Sequence, residues 1–325
     1  MSVLCVRVVP TAGESTRQWL AEADLLDREY QITDDGEYLY IPVTNPALVD
    51  DSYTLVEHAA PKRETPTRPK DVLSYEPTYE RLGDIAILDT EDTSRAEEIA
   101  DAIMTSDLQI STVINRASKI KGAQRVRDWD VIRGADTETT HSEYGYTYTL
   151  DIAKVYFSPR LATERHRVVT QIDEDENVID MFAGVGPFAI PAADRGNSAV
   201  ACDINPTAIS YLDANAEENH VTNSISSLCD DVRKIQNAYA GWADRLIMNL
   251  PHTADEFLDA AVTMAAEECI IHYYDIQSDT DRYTPAIRAV RDAATPLYDV
   301  QIDTRRTVRS YAPHESNVVI DAHLK

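Results

Sequence analysis

The stretch NVIDMFAGVGPF, Asn177 to Phe188, decides how this chain is read. Its first half, Asn177 to Phe182, is a short apolar run of the kind that forms a buried strand. Its second half breaks at Gly184 and Gly186, and Pro187 follows with a fixed φ suited to opening a helix. Glycines at a strand-to-helix turn let backbone N–H groups and a helix N-terminus approach a ligand closely, which points to a nucleotide or nucleoside. Gly184, Gly186 and Ala189 also satisfy a dinucleotide fingerprint, so spacing alone leaves the cofactor open. Asp180 narrows the choice. A carboxylate at the strand end is unwelcome beside a pyrophosphate and suited to the ammonium group of S-adenosylmethionine.

Downstream of this turn the pattern alternates regularly. A short helix through Ala193 should be followed by strand Ala199–Asp203, helix Pro206–Glu218, strand Ile225–Cys229, strand Arg245–Leu250, helix Ala254–Glu267, strand Cys269–Asp275 and helix Pro285–Ala294. The last two strands, Leu297–Thr304 and Asn317–Ala322, have only a loop between them and should pair antiparallel. Pro191 falls inside the helix after the turn and should kink or end it. A mostly parallel, doubly wound sheet closing in an antiparallel hairpin resembles the class I S-adenosylmethionine-dependent methyltransferases.

In such a sheet the ligand lies outside the carboxyl ends of the strands, at the switch point. Besides Asp180, Asp203 closes the second strand at roughly the ~20-residue spacing of a carboxylate that holds ribose hydroxyls. Asp231 follows the third strand, where it could accept from an adenine amino group, or simply cap a helix. The fourth strand leads into Asn249-Leu250-Pro251-His252: an amide offering one acceptor and two donors, aimed by a proline-fixed turn.

Upstream, residues 1–60 read as a small α/β unit, with strand Leu4–Val9, helix Glu14–Leu26 and strand Tyr38–Pro42. Residues 61–72, rich in proline and basic side chains, read as a linker. Residues 73–146 form a middle unit, with strand Ile85–Leu88, helix Ser94–Met104 and strand Thr112–Asn115, and residues 147–325 form the doubly wound domain. The middle unit ends in a basic segment, Arg116–Arg133, that includes Lys119, Lys121, Arg125 and Arg127 and reads as a phosphate-contacting surface or as a solvated loop.

The formal net charge is −26, with 56 acidic against 30 basic residues. Folding does not require this, and an acidic, lysine-poor surface suits a cytoplasm of very high salt, where self-repulsion is screened. The early run Val3–Val9 is too short and too interrupted for a signal peptide, and nothing approaches a membrane span, so a cytoplasmic location is expected. Cys5, Cys202, Cys229 and Cys269 are scattered without ligand spacing, so neither a metal site nor a disulfide framework is expected.

In company, the motifs become specific. DMFAGVGPF, DINPTAI, NLPHTA and DIAKVYFSPRLATER together resemble the archaeal and eukaryotic type of tRNA (guanine-N1)-methyltransferase acting at position 37. LCVRVV through GEYLYIPV resembles that family's N-terminal domain, and KGAQRVR and RSYAP resemble its middle segment and C-terminal hairpin. The resemblance implies a class I methyltransferase sheet preceded by two smaller α+β RNA-binding domains. It further implies S-adenosylmethionine as cofactor and tRNA as partner of a monomer, with no protein partner implied.

By position, the resemblance makes Glu164 the general base and Arg125 the group that stabilises charge on O6. Tyr156, Arg160, Asn249 and Pro251 would hold the substrate base, and Asp180, Phe182, Gly184, Gly186, Asp203, Ile204, Asp231 and Asn249 the cofactor. The chemistry agrees, since guanine N1 bears a hydrogen that must leave as the methyl arrives. Ser158 and Pro159 read as the N-cap and first residue of a helix that places Arg160, Glu164 and Arg167 on one face, where Arg160 and Glu164 could also form a plain surface pair. Two relatives by chemistry stay open: an aminocarboxypropyl transferase, or a methyltransferase of a wyosine precursor, at the same tRNA position. A third reading, from another class, is a tRNA-binding protein with a vestigial cofactor fold.

Overall fold

The computed structural model describes residues 2–64, 66–118, 122 and 125–325; Lys119 and Lys121 of the basic segment lie outside the described residues. The chain divides into two units, Met1–Thr67 and Arg68–Lys325. In the first, β1 (Ser2–Val8) leads into α1 (Pro10–Glu22), followed by β2 (Thr33–Asp34), β3 (Leu39–Pro42) and β4 (Thr54–Ala59), in the sheet order β2-β3-β1-β4. The helix opens at Pro10 rather than Glu14, because proline fits a first helical turn that needs no N–H, and it ends at Glu22, with Asp24 turning the chain at φ 57°. Val6, Leu20, Leu25 and Ile41 form this unit's core.

The second unit begins with α2 (Pro69–Val72), β5 (Glu80–Leu82), β6 (Ile85–Leu88), α3 (Thr93–Thr105), β7 (Thr112–Arg116) and β8 (Trp129–Arg133). The four strands form a sheet in the order β5-β6-β7-β8. Asp92 caps α3 by accepting from the Arg95 N–H at 3.1 Å. The basic segment is thus not all loop, since its end forms β8 and pairs with β7.

A hairpin, β9 (Glu138–Glu143) and β10 (Tyr146–Asp151), leads to α4 (Ala162–Val169) and then to the large sheet. That sheet's elements are β11 (Asn177–Asp180), α5 (Ala189–Arg195), β12 (Ser198–Asp203), α6 (Pro206–Glu218), β13 (Ile225–Cys229), α7 (Val232–Ile235), β14 (Ala243–Met248), α8 (Leu258–Met264), β15 (Ala265–Ser278), α9 (Thr284–Ala294), β16 (Val300–Ala312) and β17 (Glu315–Leu324). Their order is β13-β12-β11-β14-β15-β17-β16. The first five strands run parallel, and β17 inserts antiparallel between β15 and β16. This is the expected doubly wound sheet with its antiparallel hairpin.

Several boundaries differ from expectation. The helix begun near Ala254 ends at Met264 instead of Glu267, because Ala265 already pairs with Ala243 on β14; tertiary pairing overrides the helical preference of the Ala-Ala-Glu-Glu run. Pro191 neither kinks nor ends α5, since it sits in the first turn, where its missing N–H has no helical partner to lose. The hairpin strands β16 and β17 are longer than expected and turn tightly at Pro313 and His314, the latter with φ 66°.

The sheet separates two apolar layers. Val168, Ile190 and Ala208, from α4, α5 and α6, pack on one face with Ile247, Tyr274 and Val319. Leu258, Val262 and Val290, from α8 and α9, pack on the other with Leu246, Ile271 and Ile320. Among the described residues no helix is long and apolar enough to cross a membrane.

Candidate active site

β11 lies between β12 and β14, so its carboxyl end is the point where the strand order reverses. Asp180 ends this strand, 1% exposed. Its Oδ1 accepts from the Phe182 N–H at 3.3 Å, while Oδ2 is buried with no partner among the described residues. Burial pushes its pKa up to about 7; the Phe182 N–H opposes this and the Asp203 charge adds to it.

Gly184 and Gly186 adopt φ of 54° and 91°, a region that costs other residues strain. A Cβ on Gly186 would press to 2.8 Å from Ile190 Cδ1, whereas one on Gly184 would find nothing nearer than the Tyr156 carbonyl oxygen at 3.8 Å. Space beside the Gly184 backbone is therefore open.

Asp203 accepts from the Gly184 N–H and the Asn205 N–H, both at 2.8 Å, and burial raises its pKa against those bonds. Each oxygen keeps a lone pair for a hydroxyl donor. Ile204, next in the chain, is 43% exposed. Phe182 packs edge-on against Phe257 at 5.0 Å. Asp231 caps α7 by accepting from the Arg233 N–H, and the Arg233 guanidinium also grips its carboxylate at 2.6 Å, so the helix-cap reading holds for this residue. An orphaned carboxylate oxygen for an ammonium group, a second carboxylate for ribose hydroxyls and an exposed apolar side chain beside it fit S-adenosylmethionine.

A second feature is a cleft lined by Glu80, Arg116, Arg125, Arg127, Tyr156 and Arg309, among others. Among the described residues four guanidinium groups line this cleft with one carboxylate. Arg125 holds φ 56° and lies over the Tyr156 ring at 5.0 Å, its Nε buried without a partner among the described residues. Burial, reinforced by the Arg116 charge, lowers the pKa of Arg127. Glu80 is engaged by Arg116 and, at 2.6 Å, by Arg160. Arg160 therefore does not pair with Glu164. Residues Pro159–Leu161 form a 3-10 turn, α4 begins only at Ala162, and Ser158 makes no side-chain cap; this shift turns Arg160 toward β5.

Asn249 and Leu250 lie beyond the end of β14, half-buried, and the Asn249 amide makes no side-chain hydrogen bond among the described residues. Pro251 is buried, and its carbonyl accepts from the Ile276 N–H at 2.9 Å, fixing the turn.

Glu164 is only 4% exposed and does not line the arginine cleft. Its carboxylate accepts from Arg167 Nη2 at 2.7 Å and Nε at 3.0 Å, and from the Tyr274 hydroxyl at 2.9 Å. Arg306, half-exposed, stands 3.7 Å from Oε2. Arg167 also donates twice to Asp321, at 2.6 and 3.1 Å. Sequence reasoning named neither Tyr274 nor Asp321. Their signal was polar atoms interrupting the apolar runs CIIHYYDI and NVVIDAHL, which buried strands tolerate only when those atoms are paired.

Residues 139–303 match the family model for the TRM5/TYW2 methyltransferase domain, residues 5–51 that for the tRNA methyltransferase 5 N-terminal domain, and residues 67–137 that for the TYW2 N-terminal domain. The chain is 39% identical over 328 residues, 98% of each protein, to the tRNA (guanine(37)-N(1))-methyltransferase Trm5b of Pyrococcus abyssi. It is 31% identical over 253 residues, 76% of this chain and 98% of the other, to the tRNA(Phe) (4-demethylwyosine(37)-C(7)) aminocarboxypropyltransferase of Methanocaldococcus jannaschii. Among solved structures it is similar to aTrm5 in its complex with tRNALeu, with a TM-score of 0.72 and 33% identity over 99% of this chain and all of that one. The chain belongs to the TRM5/TYW2 methyltransferase family and, within it, to the Trm5 type.

Proposed function

We infer that this chain is an enzyme that methylates N1 of guanosine 37 in tRNA, with S-adenosylmethionine as the methyl donor. Near full-length similarity to a tRNA (guanine(37)-N(1))-methyltransferase supports the reaction. The observation that carries the site is Asp180, buried at the switch point with one oxygen unpartnered. Bound there, S-adenosylmethionine supplies an electrophilic methyl group on a positively charged sulfur.

The protein's own groups do the rest. Asp180 takes the ammonium group, Asp203 the ribose hydroxyls, and Phe182, Ile204 and Asp231 frame the nucleoside along the backbone of Gly184 and Gly186. Tyr156, Arg160, Asn249 and Pro251 position an extruded guanine. Glu164 accepts the N1 proton, and Arg125 faces the charge that develops on O6. Residues 1–60 and 73–146, on either side of the segment 61–72, contribute tRNA-binding surfaces to the methyltransferase domain of residues 147–325. The enzyme works as a monomer in a cytoplasm of very high salt, a reading supported by its net charge of −26.

Unmodified tRNA transcripts with labelled S-adenosylmethionine in molar potassium chloride test this reading. Label on a transcript with guanosine 37, and none when adenosine replaces it, is the expected result. An aminocarboxypropyl adduct in the product mass would instead favour the second activity in the family. Melting curves at low and molar salt test the salt adaptation, which equal stability at both would contradict.

A further inference from the structure

Behind Glu164 runs a chain of buried ionisable groups on one face of the sheet. Arg245 on β14 donates to Glu176 at 2.6 and 2.7 Å and to the Gln171 carbonyl at 2.9 Å. Its Nη1 lies 2.8 Å from His272 Nε2. His272 Nδ1 lies 2.6 Å from Asp321 Oδ1, directly across the β15–β17 ladder. Asp321 is then bridged by Arg167 to Glu164.

The chemistry of the donors fixes every role. A guanidinium only donates, so His272 Nε2 must accept and Nδ1 must carry the hydrogen given to Asp321; the ring is neutral. Burial, together with Arg245 and Arg167, works in the same direction by lowering the pKa of His272, against the pull of Asp321.

We propose that Asp321, held by His272, is a positioning residue that keeps Glu164 from being neutralised by Arg167 by taking half of that guanidinium. This rests on Glu164 being the general base. Two carboxylates share one guanidinium, so the trio Glu164, Arg167 and Asp321 keeps one net negative charge and room for one proton. A private Glu164–Arg167 pair would already be neutral and would become a net cation on taking the proton. When the N1–H bond of guanine breaks and its electron pair stays on nitrogen, the proton bonds to a Glu164 oxygen, the trio becomes neutral, and Arg167 stays paired with Asp321. The other groups facing Glu164 do not change this balance: Tyr274 is a neutral donor, Arg306 is half in water, and Arg245 is offset by Glu176.

The test is the pH profile of the single-turnover methylation rate, using full-length enzyme and tRNA. Asp321→Asn should lower the plateau about tenfold and move the acid limb to lower pH. Arg167→Gln should move the limb the other way, with binding of S-adenosylmethionine unchanged in both. Opposite displacements are not the signature of a merely structural role. An unmoved limb in either folded variant overturns the proposal, and a variant that fails to fold leaves the other to decide. Glu164→Gln, assayed alongside, separates the two ideas. If it keeps the wild-type rate, the base assignment falls; if it is slow while the limbs above stay put, only the sharing of Arg167 falls.

Discussion

Asp180 at the end of β11 and Asp321 on β17 are buried to the same degree, yet their surroundings differ in kind. Among the described residues Asp180 receives one long backbone hydrogen bond, and its second oxygen is unpartnered. Asp321 receives three hydrogen bonds from His272 and Arg167. Burial works upward on both. For Asp180 it wins, and the pKa rises to about 7; for Asp321 the donors win and hold the carboxyl well below the usual range. A buried carboxylate left short of donors marks a place where a ligand completes the set. Asp321, bridging His272 and Arg167, instead holds its neighbours in place.

Substitutions along this contrast should differ in what they break. The largest effect is expected at Glu164: Glu164→Gln should slow single-turnover methylation by about 10²–10⁴-fold with tRNA affinity almost intact. A rate within a few-fold of wild type would remove Glu164 from the chemistry. On the saturated side, Arg245→Met leaves Glu176 without its bidentate partner and strips His272 of its donor. It should cost about 3–5 kcal/mol of stability, read as a lowered midpoint in denaturant titration. If the midpoint holds, the chain of ions is not a structural unit.

On the unsaturated side, Asp180→Asn should leave the fold intact and weaken S-adenosylmethionine binding by roughly 10–100-fold, the value of about 1.5–3 kcal/mol for a hydrogen bond to a charged group. The wild-type protein adds a pH test. Since its folded pKa lies above the unfolded value, Asp180 favours the folded state most below about pH 4, and that contribution fades as pH rises through about 7. Cofactor binding runs the opposite way, because the ammonium group needs the carboxylate ionised. Calorimetry should show affinity rising from pH 6 to pH 8 with proton release, and Asp180→Asn should flatten that dependence.

The smallest effect is expected at Asp231, whose carboxylate is already occupied by Arg233 and the α7 N-terminus. Asp231→Ala should cost about 1 kcal/mol as a lost cap. Cofactor affinity should fall only a few-fold, and an unchanged affinity would remove Asp231 from the residues that frame the nucleoside.

What could be read in advance followed the range of each interaction. The glycine turn, the strand-end carboxylates Asp180 and Asp203 and the alternation downstream are local patterns, and the sheet they imply is the one found. Residue spacing also foresaw the antiparallel closing hairpin, though not its length, because the reach of β16 and β17 is set by pairing with β15. Arg160 was placed beside Glu164 by helical periodicity, but a 3-10 turn at Pro159–Leu161 rotated it onto Glu80.

The sequence by itself determined the sheet, its glycine turn and the candidate groups around it, because these depend on residues close together in the chain. Only the tertiary structure decided which carboxylates are satisfied. Glu164 and Arg167 share α4 and their spacing was legible, but Tyr274, His272 and Asp321 come from β15 and β17, and partners supplied across strands far apart in sequence leave no period or spacing from which they could be read.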